Sequence, residues 1–189
     1  MKLSILICTV EGRESSYQNL KEELELQKSL YNIQDDVEII THKDNKLLTV
    51  GSKRNLLKRL AKGYYICYVD DDDMVSRDYL KIIFESISSD ADIITFNVQR
   101  YLNGVIDKIY CPNVYLGSFV SGNYCFMTNL LHLCPHKKSL ADKIEFPEKN
   151  FGEDLEYSLS LVKLMPKEKK IDSILYNYYF SETETLTQK

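Results

Sequence analysis

Leu3 to Val10, LSILICTV, is a near-continuous apolar run of strand length that starts almost at the beginning of the chain. A run with no polar face suits a strand covered on both sides, as a parallel strand is between two helical layers. It is far shorter than the ~20 residues that cross a bilayer. Glu11, Gly12, Arg13 and Glu14 follow it at once with no small-residue cleavage site, so it does not read as a leader. Ser15 and Ser16 are placed to cap a helix through Leu30, with Leu20, Leu24, Leu26 and Leu30 as its apolar stripe. Val37 to Thr41 reads as a second strand, Gly51 and Ser52 open a helix through Lys62, Gly63 stops it, and Tyr64 to Val69 reads as a third strand. This alternation predicts an α/β fold with a mostly parallel central sheet flanked by helices.

In the second half, Ser76 is placed to cap a helix through Ser88, Asp92 to Val98 reads as a strand, and Asn103-Gly104 as a hairpin turn into Val105 to Tyr110. Periodicity fades from Cys111 to about Asn129 and returns as a helix over Glu153 to Leu164 and a strand over Ile171 to Phe180. With 189 residues, 44% hydrophobic and 28% charged, the chain is expected to form one domain with an ordinary core. A net charge of −4 gives no electrostatic attraction to nucleic acid or anionic membrane. The five cysteines are odd in number and lack CxxC spacing, which predicts reduced thiols and a cytoplasmic protein. No segment is apolar for long enough to be an integral membrane span.

Ligands of such sheets bind beyond the carboxyl ends of the strands. Three polar segments fall there: Glu11 to Glu14, His42 to Asn45, and Asp70 to Asp73. The last interrupts YYICYVDDDDM, where four adjacent like charges repel one another. Clustered carboxylates without neighbouring His or Cys are hard ligands for Mg²⁺ or Mn²⁺. In an extended segment Asp70 and Asp72 would share one side while Asp71 points away. The competing reading is a solvated acidic turn that caps the next helix. Gly51-Ser52-Lys53-Arg54-Asn55 puts two cations at a helix start, where unpaired N–H groups favour an anion, although neither GxxxxGK[ST] nor GxGxxG is present.

Four segments together resemble the family 2 glycosyltransferases: SILICTVEGRE, GSKRNLLKRLAKGYYICYVDDDD, FGEDLEYSL and ILYNYYF. They lie in the family's order along nearly the whole chain. HLCPHKKSLA, from His132, also resembles small, often phage-encoded members. The resemblance implies the GT-A fold, a Rossmann-like nucleotide-diphospho-sugar transferase architecture, as one catalytic domain over 1–189. Residues 1–100 would form the nucleotide-sugar half and 101–189 the acceptor and catalytic-base half.

It also implies roles. Thr9, Glu11, Arg13 and Asp44 would border the nucleoside, although Lys43-Asp44-Asn45-Lys46 replaces the family's usual Asp-Asp-Gly-Ser. Lys53, Arg54 and Asn55 would lie beside the donor. Asp70 and Asp72 match the Asp-x-Asp motif, with Asp72 as the principal metal ligand and Asp70 or Asp71 nearer the ribose. Asp154 matches the catalytic base, with Glu153 beside it. Taken alone, that pair is also what a helix dipole favours in a first turn. His132 and Lys137 are candidates for the acceptor or diphosphate side.

The implied activity is inverting, metal-dependent transfer of a sugar from a nucleotide donor, UDP-linked, to an acceptor hydroxyl on a glycan, a protein or a hydroxylated DNA base. The cofactor would be Mn²⁺ or Mg²⁺, neutralising charge on the diphosphate, and a carboxylate would take the attacking hydroxyl's proton. A DNA acceptor would need a basic face built from Lys53, Arg54, Lys58, Arg59 and Lys62. The alternatives are a nucleotidyltransferase, for which a Gly-rich loop after the first strand is missing, and a non-catalytic sugar-nucleotide-binding domain.

Overall fold

The first strand, β1 (Leu3–Val10), sits inside the sheet, parallel to β2 (Val37–Asp44) on one side and β3 (Tyr65–Tyr68) on the other. This placement explains its mostly apolar sequence. Leu3, Ile5 and Ile7 share one core with Leu20 and Leu24 of α1 (Glu14–Leu30) and with Leu80 and Ile83 of α3 (Tyr79–Ile87). Leu6, on the opposite face, joins a second core with Leu57 of α2 (Val50–Leu60) and with Tyr157 and Leu161 of α5 (Glu153–Val162). β3 alternates likewise, Tyr65 and Cys67 entering the first core and Ile66 and Tyr68 the second. The computed structural model describes residues 1–115, 119–121 and 125–181.

Beyond β3 the chain adds β4 (Met74–Val75), β5 (Ile93–Leu102), β6 (Val105–Asn113), β7 (Phe119–Ser121), β8 (Cys125–Asn129), β9 (His136–Lys137), the short α4 (Lys138–Ala141) and, last, β10 (Glu168–Phe180). The sheet runs β2-β1-β3-β9-β5-β6-β8-β7, with β10 against β5 and β4. β9 is antiparallel to both β3 and β5, so those two strands keep the common direction. β10 lies parallel along β5 and antiparallel to β4. The expected hairpin at Asn103-Gly104 is present, with φ of 49° and 81° as a mirror-image tight turn requires.

Several local expectations are corrected. α1 starts at Glu14 behind Arg13, and Ser16 lies inside the helix, its hydroxyl donating to the Arg13 carbonyl. α2 is capped by Thr49, whose Oγ1 accepts the Ser52 N–H at 3.2 Å. Ser76 does not cap α3; its hydroxyl donates to Asp78, the residue that precedes the helix. β4 and β9, two residues each, are too short to leave a periodic signal. Cys8, Cys67 and Cys134 are free as expected, whereas Cys111 is disulfide-bonded. Linear spacing of the cysteines gives no view of the strand pairing around it. No helix among the described residues is long and apolar enough to cross a membrane.

Behind the sheet ends, His136 is buried: one ring nitrogen, Nδ1, faces the Cys134 carbonyl at 2.8 Å and the other, Nε2, faces the Tyr157 hydroxyl at 2.9 Å. A carbonyl only accepts, so Nδ1 carries the proton and Tyr157 donates to Nε2. Burial lowers this imidazole from 6.5 to about 4. Between those values the unfolded chain binds the extra proton and the folded chain does not, so stability falls as pH falls through this window. His136→Gln should flatten that dependence by up to ~1.4 kcal/mol per pH unit, measured by urea unfolding at pH 4 to 7. Identical slopes for the two proteins would refute the assignment.

Candidate active site

The four aspartates follow β3 directly. The Asp70 carbonyl accepts the Asp73 N–H at 3.2 Å, so the segment is a turn and its side chains diverge rather than alternating as an extended chain would. Asp70 accepts from Arg54 at 2.9 Å. Arg13 donates to Asp71 at 2.6 Å and pairs with Asp72 at 2.9 Å. Asp73 points inward, where it takes the Tyr176 hydroxyl and the Tyr179 N–H, each at 2.8 Å. The Tyr176 oxygen in turn accepts the Asp70 N–H at 3.1 Å. Asp73 therefore anchors β10 to the turn, a role that sequence reading did not find.

Electrostatics separate the four further. Burial acts to raise Asp70, but the Arg54 guanidinium first, and the neighbouring His132 ring after it, hold it well below the usual carboxylate range. Asp72 rises to about 6, from burial first and then repulsion by Asp70 and Asp71, against the pull of Arg13. Burial, then repulsion by Asp70 and Asp72, push Asp73 well up. Asp72 keeps about a third of its side chain exposed, so it is the carboxylate in this turn that combines openness with unrelieved repulsion.

Arg54 is buried on α2 and forks between two carboxylates, Nη2 to Asp70 and Nη1 to Glu153 at 2.7 Å. The rings of Phe146 and Tyr68 flank the guanidinium, 5.5 and 6.0 Å from its carbon. Asn55 is turned away from this cluster, its amide donating to the Phe146 carbonyl and accepting the Phe146 N–H, both at 2.9 Å. Gly51 is required by the same packing, because a Cβ there would lie 1.9 Å from the Pro147 oxygen.

The anion site expected at the start of α2 is not formed. Val50 N–H goes to Asn150, Gly51 N–H to the Lys149 carbonyl and Ser52 N–H to Thr49. Lys53 pairs with Asp44 at 2.9 Å, and the Leu48 N–H takes the other Asp44 oxygen, so Asp44 presents no free carboxylate edge. Burial opposes ionisation of Asp44, yet these two donors lower its pKa. Lys58 is buried against the Ala141 and Ile144 carbonyls and Glu145. Lys53, Arg54 and Lys58 are all inside and partnered, so these three residues do not contribute to an exposed basic face.

Gly152 enters α5 with φ of 71°, and Glu153 and Asp154 occupy its first turn. Glu153 is buried on Arg54 rather than facing an acceptor. Asp154 is open: Oδ1 accepts the Leu155 N–H at 2.8 Å and Oδ2 lies 3.8 Å from His132 Nδ1. His132 Nε2 is 3.4 Å from Asp70, so this ring stands between the turn and the candidate base. A cavity of about 90 Å³ opens beside Asp154. Lys137 does not reach the site. It pairs with Tyr65, the first residue of β3, and its ammonium binds Asp90 and Asp92 at 2.8 and 3.1 Å, at the other end of the strand. Thr9 is buried opposite Lys43, while Glu11 is exposed in the turn after β1.

Among the described residues no three His, Cys, Asp or Glu side chains converge on one metal position. Asp70 and Asp72 nevertheless fit Mg²⁺ or Mn²⁺, which bind through one or two hard carboxylates and complete their shell with phosphate oxygens and water. Five carboxylates, Asp70, Asp71, Asp72, Glu153 and Asp154, surround only two guanidiniums. A divalent cation would relieve that excess.

A mostly parallel sheet flanked by helices is the architecture of the GT-A fold. Residues 19–144 match the family model "Glycosyl transferase family 2", and the chain belongs to that family. Among solved structures, S. aureus TarS 1-349 in complex with UDP-GlcNAc superposes with a TM-score of 0.67 at 17% identity, covering 98% of this chain and 60% of that one. The complex of TarS 1-349 with UDP gives 0.67 at 17%, covering 96% and 61%. S. aureus TarS itself gives 0.65 at 15% identity, covering 95% of this chain and 37% of TarS. The chain thus spans about 60% of the TarS 1-349 structures it matches. No curated protein matches it.

Arg54→Met should cost about 3–5 kcal/mol, the penalty for leaving buried carboxylates without their cation. Urea unfolding at pH 7 measures this, and a loss under about 1 kcal/mol, the scale of an exposed pair, would mean the bridge is not desolvated.

Proposed function

We propose that this chain is the catalytic domain of an inverting, Mn²⁺- or Mg²⁺-dependent transferase that moves a sugar from a UDP-linked donor to an acceptor hydroxyl. The observation that carries the reading is the Arg54 bridge, which holds the acidic turn and the start of α5 together so that Asp154 opens beside Asp70. Family membership and the UDP-GlcNAc and UDP complexes of TarS support the donor class.

The nucleotide would lie over the carboxyl ends of β1, β2 and β3, bordered by Thr9, Glu11 and Arg13. Asp72, with Asp70, would hold the cation, which when bound supplies positive charge to the departing diphosphate. Arg13 is only partly buried and already leans on Asp71 and Asp72, so it can add a further positive charge there. Asp154 Oδ2 is the free oxygen that takes the proton from the attacking hydroxyl. Attack from the α5 side, opposite the diphosphate, gives inversion. Glu153 acts through Arg54 and touches no substrate.

Residues 1–100 and 101–189 supply the donor and acceptor sides of one domain, because β10 is clamped to the turn by Asp73 and α5 by Arg54. A hydroxyl on a glycan or a protein suits this surface better than DNA.

Asp72→Ala should leave folding intact and remove the increase in UDP affinity that Mn²⁺ gives, read by calorimetry with and without the ion; an undiminished Mn²⁺ effect places the cation elsewhere. Asp154→Asn should keep UDP binding and lower turnover of a UDP-sugar by roughly 10²–10⁴-fold, the contribution of a general base. Wild-type turnover in that variant would remove Asp154 from the mechanism.

A further inference from the structure

The cavity beside Asp154 is lined by buried polar groups that have no hydrogen-bond partner among the described residues. Ser158 follows Asp154 by one turn on α5, is 1% exposed, and its Oγ makes no hydrogen bond in the structure. His132 is 6% exposed and neither ring nitrogen makes one. Nε2 is within 3.4 Å of Asp70 but misaligned, and Nδ1 stands 3.8 Å from Asp154 Oδ2. Folded proteins leave few buried groups unmet, and two lining one small cavity mark a place for a ligand or water. Leu130 and Leu155 supply an apolar wall. About 90 Å³ compares with the roughly 10–15 Å³ that one water needs on this scale. The space takes a short carbon arm.

We infer that this cavity is an acceptor subsite selecting molecules that carry a second hydroxyl next to the one that reacts, with Ser158 and His132 as its specificity residues. The inference rests on the transferase reading for Asp154. With Asp154 Oδ2 facing the reacting hydroxyl, the neighbouring hydroxyl accepts from Ser158 and donates to His132 Nδ1. A hydroxyl both donates and accepts, so it satisfies both groups at once. An alkyl arm would leave them unmet, and an anionic arm would meet the Asp70 and Asp154 carboxylates. The leucines pack on the C–H face of the polyol.

The probe is glycerol, with 1-propanol as the three-carbon control lacking two hydroxyls, titrated into ¹⁵N-labelled protein and followed by amide shifts. Glycerol should shift residues 128–132 and 154–158, and 1-propanol at the same concentration should not. Ser158→Ala should weaken glycerol roughly threefold to tenfold, as loss of one neutral hydrogen bond does; Ser158→Val, which fills the space, should weaken it further. UDP affinity should be unchanged in both variants. Equal response to the two alcohols, shifts scattered elsewhere, or unchanged glycerol binding in both variants overturns the inference. Absence of UDP binding in a wild-type protein that still takes glycerol at this site would instead overturn the transferase reading and leave the polyol site standing.

Discussion

A single buried guanidinium holds the site together. Arg54 reaches Asp70 at the end of β3 and Glu153 at the start of α5, joining segments that are 83 positions apart in the sequence. Desolvating three charged groups is unfavourable unless they meet in good geometry, and the planar fork of arginine meets two carboxylates where a lysine ammonium cannot span both. The aromatic wall of Phe146 and Tyr68 excludes water from the pair. Once Glu153 is fixed, helical geometry fixes Asp154 and, a turn later, Ser158.

The second constraint is the excess of negative charge that the bridge leaves behind. Arg13 meets one oxygen of Asp71 and part of Asp72, and the hydroxyl of Tyr176 draws Asp73 into the core. Asp72 remains partly open and is pushed up to about 6, by burial first and then by Asp70 and Asp71. On the proposed reading a cation would sit there and, through it, a diphosphate. The start of α2 does not do this work, since its N–H groups are closed by residues 149 and 150 and by Thr49.

Periodicity made much of the architecture readable. β1 shows its two-sided burial in the apolar residues from Leu3 to Val10, and Asn103-Gly104 announces its turn by the φ it must adopt. The acidic turn was visible as a charge anomaly. Its internal differences were not, because they depend on partners far away in sequence: Arg13 for Asp71 and Asp72, Tyr176 for Asp73. The same blindness misplaced Lys137, which β9 carries to the opposite end of β3, and counted Lys53 and Lys58 as surface charge. Ser158 gave no sequence signal at all; only the closed space around its hydroxyl singles it out.

The Arg54 bridge is tested most directly by a double-mutant cycle on its two carboxylates, Asp70→Asn and Glu153→Gln, with unfolding free energies from urea titration. The bridge predicts that the double variant loses more stability than the sum of the singles, by about 0.5–3 kcal/mol, because only then does the buried cation stand alone. Additivity within about 0.5 kcal/mol would show that Asp70 and Glu153 do not share one cation, and the coupling of the acidic turn to the α5 carboxylates would fall with it.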